Sequence, residues 1–244
     1  NETRFQHALD AVIREHDMLR MIITSDGKQQ ILENVPSYPL RVITHDLDEI
    51  LVNTRAVLSH EVLAMNDFPS FRIMLFQYES MTRIVMSYDA LQFDAWSFLI
   101  FLRELAEHYT NPEKCSQSTS IQFRDYVLYL EQVRQTRAYT QAKQYWSDRL
   151  LSLPHRPQLP VQQVAVRPVF QRLAGNLPKK QWEQLVAKAQ YRSCTPTCLV
   201  LSAFALVIRH YSRQPEFCLN LTLFNRANTH QQLESLIGDF TSLI

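Results

Sequence analysis

Hydrophobic positions along this chain keep two spacings, and the change from one to the other falls inside a single stretch, Thr82 to Leu105. Ile84, Val85, Met86 and Tyr88 form a short apolar run rich in β-prone residues, which predicts a strand over Arg83 to Tyr88. From Asp94 onward Trp96, Leu99, Ile100, Leu102 and Leu105, with Phe98 and Phe101 beside them, follow helical spacing and leave Arg103 and Glu104 on the other side. A strand therefore ends at Asp89 and a helix starts at Asp94. On one continuous helix five residues would rotate about 500°, leaving the two carboxylates about 140° from a common face. Only a loop would bring them together.

Upstream, Phe5, Ala8, Leu9, Val12 and Ile13 predict a helix within Thr3 to Arg20 that no capped start precedes, as if it were cut from something longer. Leu19 to Thr24 and Gln30 to Glu33 flank Ser25-Asp26-Gly27-Lys28, the pattern of a hairpin. A strand fits Leu40 to Ile43, and Asp46 is placed to cap a helix whose apolar face runs from Leu47 to Leu63. Phe71 to Tyr78 is expected to pair with Arg83 to Tyr88 and so deliver the chain to Asp89.

Downstream, Thr110 to Ser120 reads as a loop and Ile121 to Leu151 as one long amphipathic helix. Three prolines in Leu153 to Pro160 enforce an extended connector, where the main boundary is expected: 1–152, then a connector over 153–165, then 166–244. Beyond it, Val169 to Leu177 reads as a strand and Lys179 to Tyr191 as a helix. Thr195-Pro196 is a strong helix start, and the helix it opens, Thr197 to Tyr211, is apolar nearly all round and expected to be buried. Phe217 to Phe224 alternates as a strand does.

Composition narrows the chemistry. The 25 basic and 24 acidic residues nearly cancel over 244 residues, with no basic block, so nucleic acid is not an expected partner. Three unclustered glycines leave no phosphate-cradling loop and no dinucleotide fingerprint. The longest apolar segment, Cys198 to Ile208, is about half a bilayer span, and nothing at the start reads as a signal peptide. Cys115, Cys194, Cys198 and Cys218 have neither a secreted framework's density nor zinc spacing, so reduced, buried thiols in a cytoplasmic protein are expected. Asp94 suits an N-cap, accepting from Trp96 or Ser97, and Asp89 suits a solvated strand end; acid–base chemistry or a buried ion pair would also explain two carboxylates around an apolar loop. No His or Glu near them in sequence suggests a metal.

Asp89-Ala-Leu-Gln-Phe-Asp94-Ala-Trp-Ser97 resembles the DxxxxDxxS signature of heterocyclization domains of nonribosomal peptide synthetases, relatives of condensation domains. Further motifs follow in family order. His16, Leu19 and Arg20 resemble RHxxLR, with Glu15 where the first Arg is expected; Phe123 to Tyr126 and Tyr145-Trp146 resemble FxDY and YW; Leu153 to Pro160 resembles LPxxPxLP. Leu221 to Arg226 matches LTLFNR and Gly238 to Leu243 matches GDFTSL. The resemblance covers essentially the whole chain, and its family's opening and closing elements have no match here.

The resemblance implies an α/β (α+β) architecture of two chloramphenicol-acetyltransferase-like lobes with a tunnel between them. No cofactor would be bound directly; upstream and downstream carrier domains would present thioesters on phosphopantetheine, beside an adenylation domain, with no membrane partner. Spacing aligns Asp89, Ala90 and Asp94 with the two histidines and the aspartate of the condensation HHxxxDG motif. Ala90 accepts no proton, which excludes a stand-alone acetyltransferase and fits the heterocyclizing branch, where Cys, Ser or Thr is acylated and then closed to a thiazoline or oxazoline, often in siderophore assembly. Asp89 and Asp94 are the candidate catalytic residues, with Asp94 favoured as a scaffold paired to Arg20 and supported by Ser97. The alternative is a catalytically degenerate condensation-like domain that acts as a structural or carrier-docking module.

Overall fold

The computed structural model describes residues 1–113, 121–160, 173–226 and 231–244. The chain divides into two compact units, Asn1–Tyr139 with Leu221–Ile244, and Thr140–Asn220. Residues 221–244 thus belong to the unit formed by the first 139 residues, whereas the expected boundary lay at the proline run.

The first unit opens with helix α1 (Glu2–Glu15), a 3-10 turn (Asp17–Arg20) and the antiparallel hairpin β1 (Met21–Ile23) and β2 (Gln29–Ile31). Gly27 sits at φ 77 in the hairpin turn, where a side chain would be strained. Strand β3 (Arg41–Ile43), helix α2 (Leu47–Leu58), β4 (Phe71–Gln77) and β5 (Thr82–Tyr88) follow, then helix α3 (Ala95–Thr110). The sheet order is β3-β4-β5: β3 runs parallel to β4 through the α2 crossover, and β5 pairs antiparallel with Phe71 opposite Tyr88.

Strand periodicity sorts β4 between two cores. Phe71, Ile73 and Leu75 pack with Phe5, Leu9 and Val12 of α1 and with Ile100, Phe101 and Leu105 of α3. Phe76 joins Ile43 and Leu51 beneath α2. Helices α1 and α3 therefore lie side by side on one face of the sheet, with α2 on the other.

Several expectations are corrected. Asn1 does cap α1, its side chain accepting from the Arg4 amide at 3.0 Å. Asp46 precedes α2 but stands at φ 48 and its carboxylate caps nothing, a left-handed conformation that Asp tolerates better than most residues. The expected 121–151 helix is two, α4 (Phe123–Val133) and α5 (Arg137–Arg149). Thr136 makes the break: its hydroxyl donates to the Val133 carbonyl at 2.7 Å and accepts from the Tyr139 amide at 3.2 Å, closing one helix and opening the next. The unit ends with a 3-10 turn (Gln231–Ser235) and the antiparallel pair β6 (Thr222–Phe224) and β7 (Thr241–Leu243). Tyr126, Leu233, Leu236 and Phe240 form its second core.

In the second unit, the proline run is bridged by the Arg213 amide to the Gln158 carbonyl (3.3 Å) and Cys218 to His155 (3.2 Å). Helix α6 (Lys179–Tyr191) and helix α7 (Pro196–Tyr211) appear as read, with the Thr195 hydroxyl capping the Cys198 amide at 3.2 Å. Helix α7 is not buried: Val200, Phe204 and Val207 are exposed, because α6 beside it covers only one stripe. Cys194, in the turn before α7, and Cys198, in its first turn, are exposed thiols rather than the buried ones expected. Cys115, part of the expected 110–120 loop and residues 169–172 of the expected 169–177 strand lie outside the described residues, while 173–177 form no strand and the expected 217–224 strand is confined to Thr222–Phe224. Among the described residues no single helix is long and apolar enough to cross a membrane.

Candidate active-site loop

The loop from β5 to α3 is held at both ends by aromatic packing. The Tyr88 ring stacks on Phe93 at 4.4 Å and on Phe98 at 5.2 Å, and Phe93 stacks on Phe101 at 6.4 Å. Burial, and secondly the Asp94 charge, push the Tyr88 phenol above its ordinary value. Between these anchors the side chains alternate in destination. Ala90 and Leu91 face solvent, whereas Gln92 and Phe93 are fully buried. Gln92 donates to the Ser70 hydroxyl at 2.5 Å, and Ser70 donates to the Met21 carbonyl at 3.3 Å, so a buried polar chain ties the middle of the loop to β1.

The two aspartates have separate environments. Asp89 is half-buried and its Oδ1 accepts from the Leu91 amide at 2.9 Å, a turn within the loop itself. Asp94 is 3 % exposed. Its Oδ1 caps α3 by accepting from the Ser97 amide at 2.7 Å, and Oδ2 accepts from the Phe240 amide at 3.2 Å. Its backbone amide donates to the Gly238 carbonyl at 3.1 Å. No hydrogen bond or ion pair joins the two carboxylates among the described residues.

Ser97 completes the seam. Its hydroxyl donates to the Gly238 carbonyl at 2.8 Å and accepts from the Gly238 amide at 3.1 Å and from Arg226 Nη2 at 2.7 Å. That fills the hydroxyl's donor and both acceptor positions. The segment 238–240, over 140 residues away in sequence, is thus sewn to the first turn of α3. A Cβ on Gly238 would lie 2.2 Å from the Phe123 ring, so the seam closes only around glycine.

The partner of Asp94 is Arg226, not Arg20. Arg226 Nη2 lies 3.4 Å from Asp94 Oδ1, with side chains 8 % and 0 % exposed. Its Nη1 donates to the carbonyls of Leu233 (2.7 Å) and Leu236 (2.6 Å), and its guanidinium stacks 3.9 Å over the Phe240 ring. Burial lowers the Arg226 pKa from its ordinary value, and the Asp94 charge opposes that shift. Arg20 instead pairs with Asp17 at 2.6 Å and donates to the Ile13 and Leu32 carbonyls, clasping the end of α1 to β2. Three residues apart on one turn, Asp17 meets Arg20 with almost no loop-closure cost. The Arg226 pairing had one sequence cue, its place in the Asn225-Arg226 ending of a strand, and nothing there pointed to Asp94.

Chemically, the loop offers one outward carboxylate, Asp89, beside an alanine methyl, and one inward carboxylate, Asp94, whose two oxygens are engaged in holding three segments together.

A family model for the condensation domain matches residues 1–244. Pyochelin synthetase PchF of Pseudomonas aeruginosa is 33% identical over 248 residues, covering 98% of this chain and 14% of its own length. Bacitracin synthase 1 of Bacillus licheniformis is 32% identical over 253 residues, covering 99% of this chain and 5% of its own length. The EpoB cyclization-docking bidomain from Sorangium cellulosum, in its monoclinic crystal form, superposes with a TM-score of 0.89 at 31% identity, over 99% of this chain and 51% of that one. The chain therefore spans a small part of those synthetases and about half of the bidomain, with which it shares its α+β fold. It belongs to the condensation-domain family of the nonribosomal peptide synthetases.

Proposed function

We propose that this chain is part of a heterocyclization domain, which joins a carrier-bound acyl group to carrier-bound Cys, Ser or Thr and then closes the ring. One observation carries the reading: at the loop between β5 and α3 an exposed alanine, Ala90, stands where a condensing histidine would face the amine, with Asp89 and Asp94 on either side. The likeness to a pyochelin synthetase and to a cyclization-docking bidomain supports it.

In this reading the acceptor amine attacks the donor thioester carbonyl, forming the amide and releasing the donor carrier's phosphopantetheine thiol. The acceptor's side-chain thiol or hydroxyl then adds to the new amide carbon, and loss of water leaves the C=N bond of a thiazoline or oxazoline. The second stage needs a base for the nucleophile and an acid for the departing oxygen. Asp89, the accessible carboxylate, orients the substrate or loop at that centre. Asp94 is a positioning residue, because both its oxygens serve α3, Phe240 and Arg226. Carrier domains on either side and a neighbouring adenylation domain are the partners, in the cytoplasm.

The test is acceptor dependence in the full-length protein. With the downstream carrier loaded with cysteine, serine or threonine, at least one acceptor gives a product one water lighter than the simple amide, whereas alanine gives the amide at its full mass. Full-mass amides from every acceptor would overturn heterocyclization. No product from any acceptor would favour a docking role.

A further inference from the structure

Away from the loop, the end of α1 and the middle of α3 bring four titratable side chains together. His16 and His108 are each 5 % exposed, and the Glu15 and Glu104 side chains are 10 % and 13 % exposed. His16 Nε2 lies 2.5 Å from Glu104 Oε2, and His108 Nε2 lies 2.9 Å from Glu15 Oε1. The second contact is not an aligned hydrogen bond: neither His108 Nε2 nor Glu15 Oε1 has a hydrogen-bond partner, and His16 Nδ1 has none either, among the described residues. The His16–Glu104 contact is a hydrogen bond, so the unsatisfied groups are the Glu15 carboxylate oxygen, His16 Nδ1 and His108 Nε2, buried polar atoms that lack a partner among the described residues. Ligand atoms of Glu15, His16 and Glu104 all lie within 4.8 Å of one another. Ligands about 2.1 Å from a tetrahedral zinc ion stand roughly 3.4 Å apart, a spacing that small side-chain rotations would reach here.

We propose that Glu15, His16 and Glu104 bind a divalent cation, with Zn²⁺ the best fit, and that the ion staples α1 to α3. His108 Nε2 stands 2.9 Å from the Glu15 carboxylate without a hydrogen bond and is not counted among the ligands. Imidazole and carboxylate donors suit borderline first-row cations. The donors lie in a largely buried place, with side chains of Glu15 and Glu104 only 10 % and 13 % exposed. The charged groups around them are Arg103, whose Nη2 is 3.7 Å from Glu104 Oε1 but whose side chain is half-exposed, and Arg14, Asp17 and Arg20 around an adjoining cavity of about 430 Å³. Glu15 and His16 line that cavity, which gives the ion a way in and room for a water as fourth ligand.

The test uses the full-length protein with Cys194→Ser and Cys198→Ser in place, which removes two exposed thiols as competing soft ligands. After chelator dialysis the protein is equilibrated with Zn²⁺ alone, and bound metal is counted against a Glu104→Gln variant. The background protein should hold one more equivalent than the variant, with affinity lost at least about tenfold. Hydrogen exchange over 9–18 and 100–108 should slow on adding Zn²⁺ in the background protein and stay unchanged in the variant. That readout is taken within each protein, so it holds even if Glu104→Gln loosens the fold. Equal zinc contents, or exchange in the background protein unmoved by Zn²⁺, would overturn the site and leave two buried His–Glu ion pairs.

Discussion

Replacing Asp94 by alanine removes three interactions of one carboxylate and leaves a void. The α3 cap is lost, worth about 1 kcal/mol. The Phe240 amide, buried at the seam, is left without an acceptor, at about 1–3 kcal/mol. Arg226 keeps its charge at 8 % side-chain exposure without its counter-ion, a loss of roughly 3–5 kcal/mol for a well-formed buried pair. A small void replaces the side chain. These overlap because they share two oxygens, and the 3.4 Å separation leaves Arg226 with the Leu233 and Leu236 carbonyls and the Ser97 hydroxyl. We therefore expect Asp94→Ala to cost about 3 kcal/mol in urea unfolding. Asp94→Asn retains an oxygen for the Ser97 amide and should cost about half as much. The local signature is hydrogen exchange: amides of 238–243 should lose protection in both variants, more in Ala. A cost under about 1 kcal/mol for Asp94→Ala, with 238–243 still protected, would refute the scaffold role.

Gly238→Ala would drive a methyl into the Phe123 ring and should destabilise by about 1–3 kcal/mol; Phe123→Leu should restore part of the loss, which thermal melts of the single and double variants would show. In the loop, Ser70→Ala strands the buried Gln92 amide and should cost more than Gln92→Leu, which leaves Ser70 its Met21 carbonyl; urea midpoints in the reverse order would contradict the buried chain. Burial holds the Tyr38, Tyr88 and Tyr126 phenols above the ordinary value of 10.0. The stability they lend is fully present below about pH 10 and is lost as pH rises through their raised folded values. Absorbance titration should show a late-ionising group of tyrosines that merges with the rest in urea; one uniform transition in the folded protein would contradict it.

Local chemistry was legible and distant chemistry was not. The strand-to-helix change, the Asp94 cap, the hairpin and the Thr195-Pro196 start each depend on neighbours within a few residues, and the structure has them as read. Arg226 meets Asp94 across 132 residues, so spacing gave no reason to choose it over Arg20, whose own partner stands three residues away. The break at Thr136 carries neither glycine nor proline, and a hydroxyl that closes one helix while opening another leaves periodicity on both sides intact. The apolar circumference of α7 predicts burial that the structure does not show: Val200, Phe204 and Val207 stay exposed, and among the described residues of its unit α6 packs along one side. Glu15 drew notice as a departure from RHxxLR, and its approach to His108 becomes visible only when α1 and α3 lie side by side.

We propose that this loop belongs to a ring-forming site in which Asp89 faces the chemistry and Asp94 holds the frame. The most direct test is the mass of the carrier-bound product made by the full-length protein, comparing unaltered protein with Asp89→Ala and Asp94→Asn, each at a temperature where it stays folded. The unaltered protein should give a product one water lighter than the condensation adduct. Asp89→Ala should lose that product while costing no more than its one Leu91 hydrogen bond, about 1 kcal/mol, whereas Asp94→Asn should keep some of it in proportion to the folded fraction. An uncyclised adduct from all three, or a fully stable Asp94→Asn that makes no ring, would contradict the account.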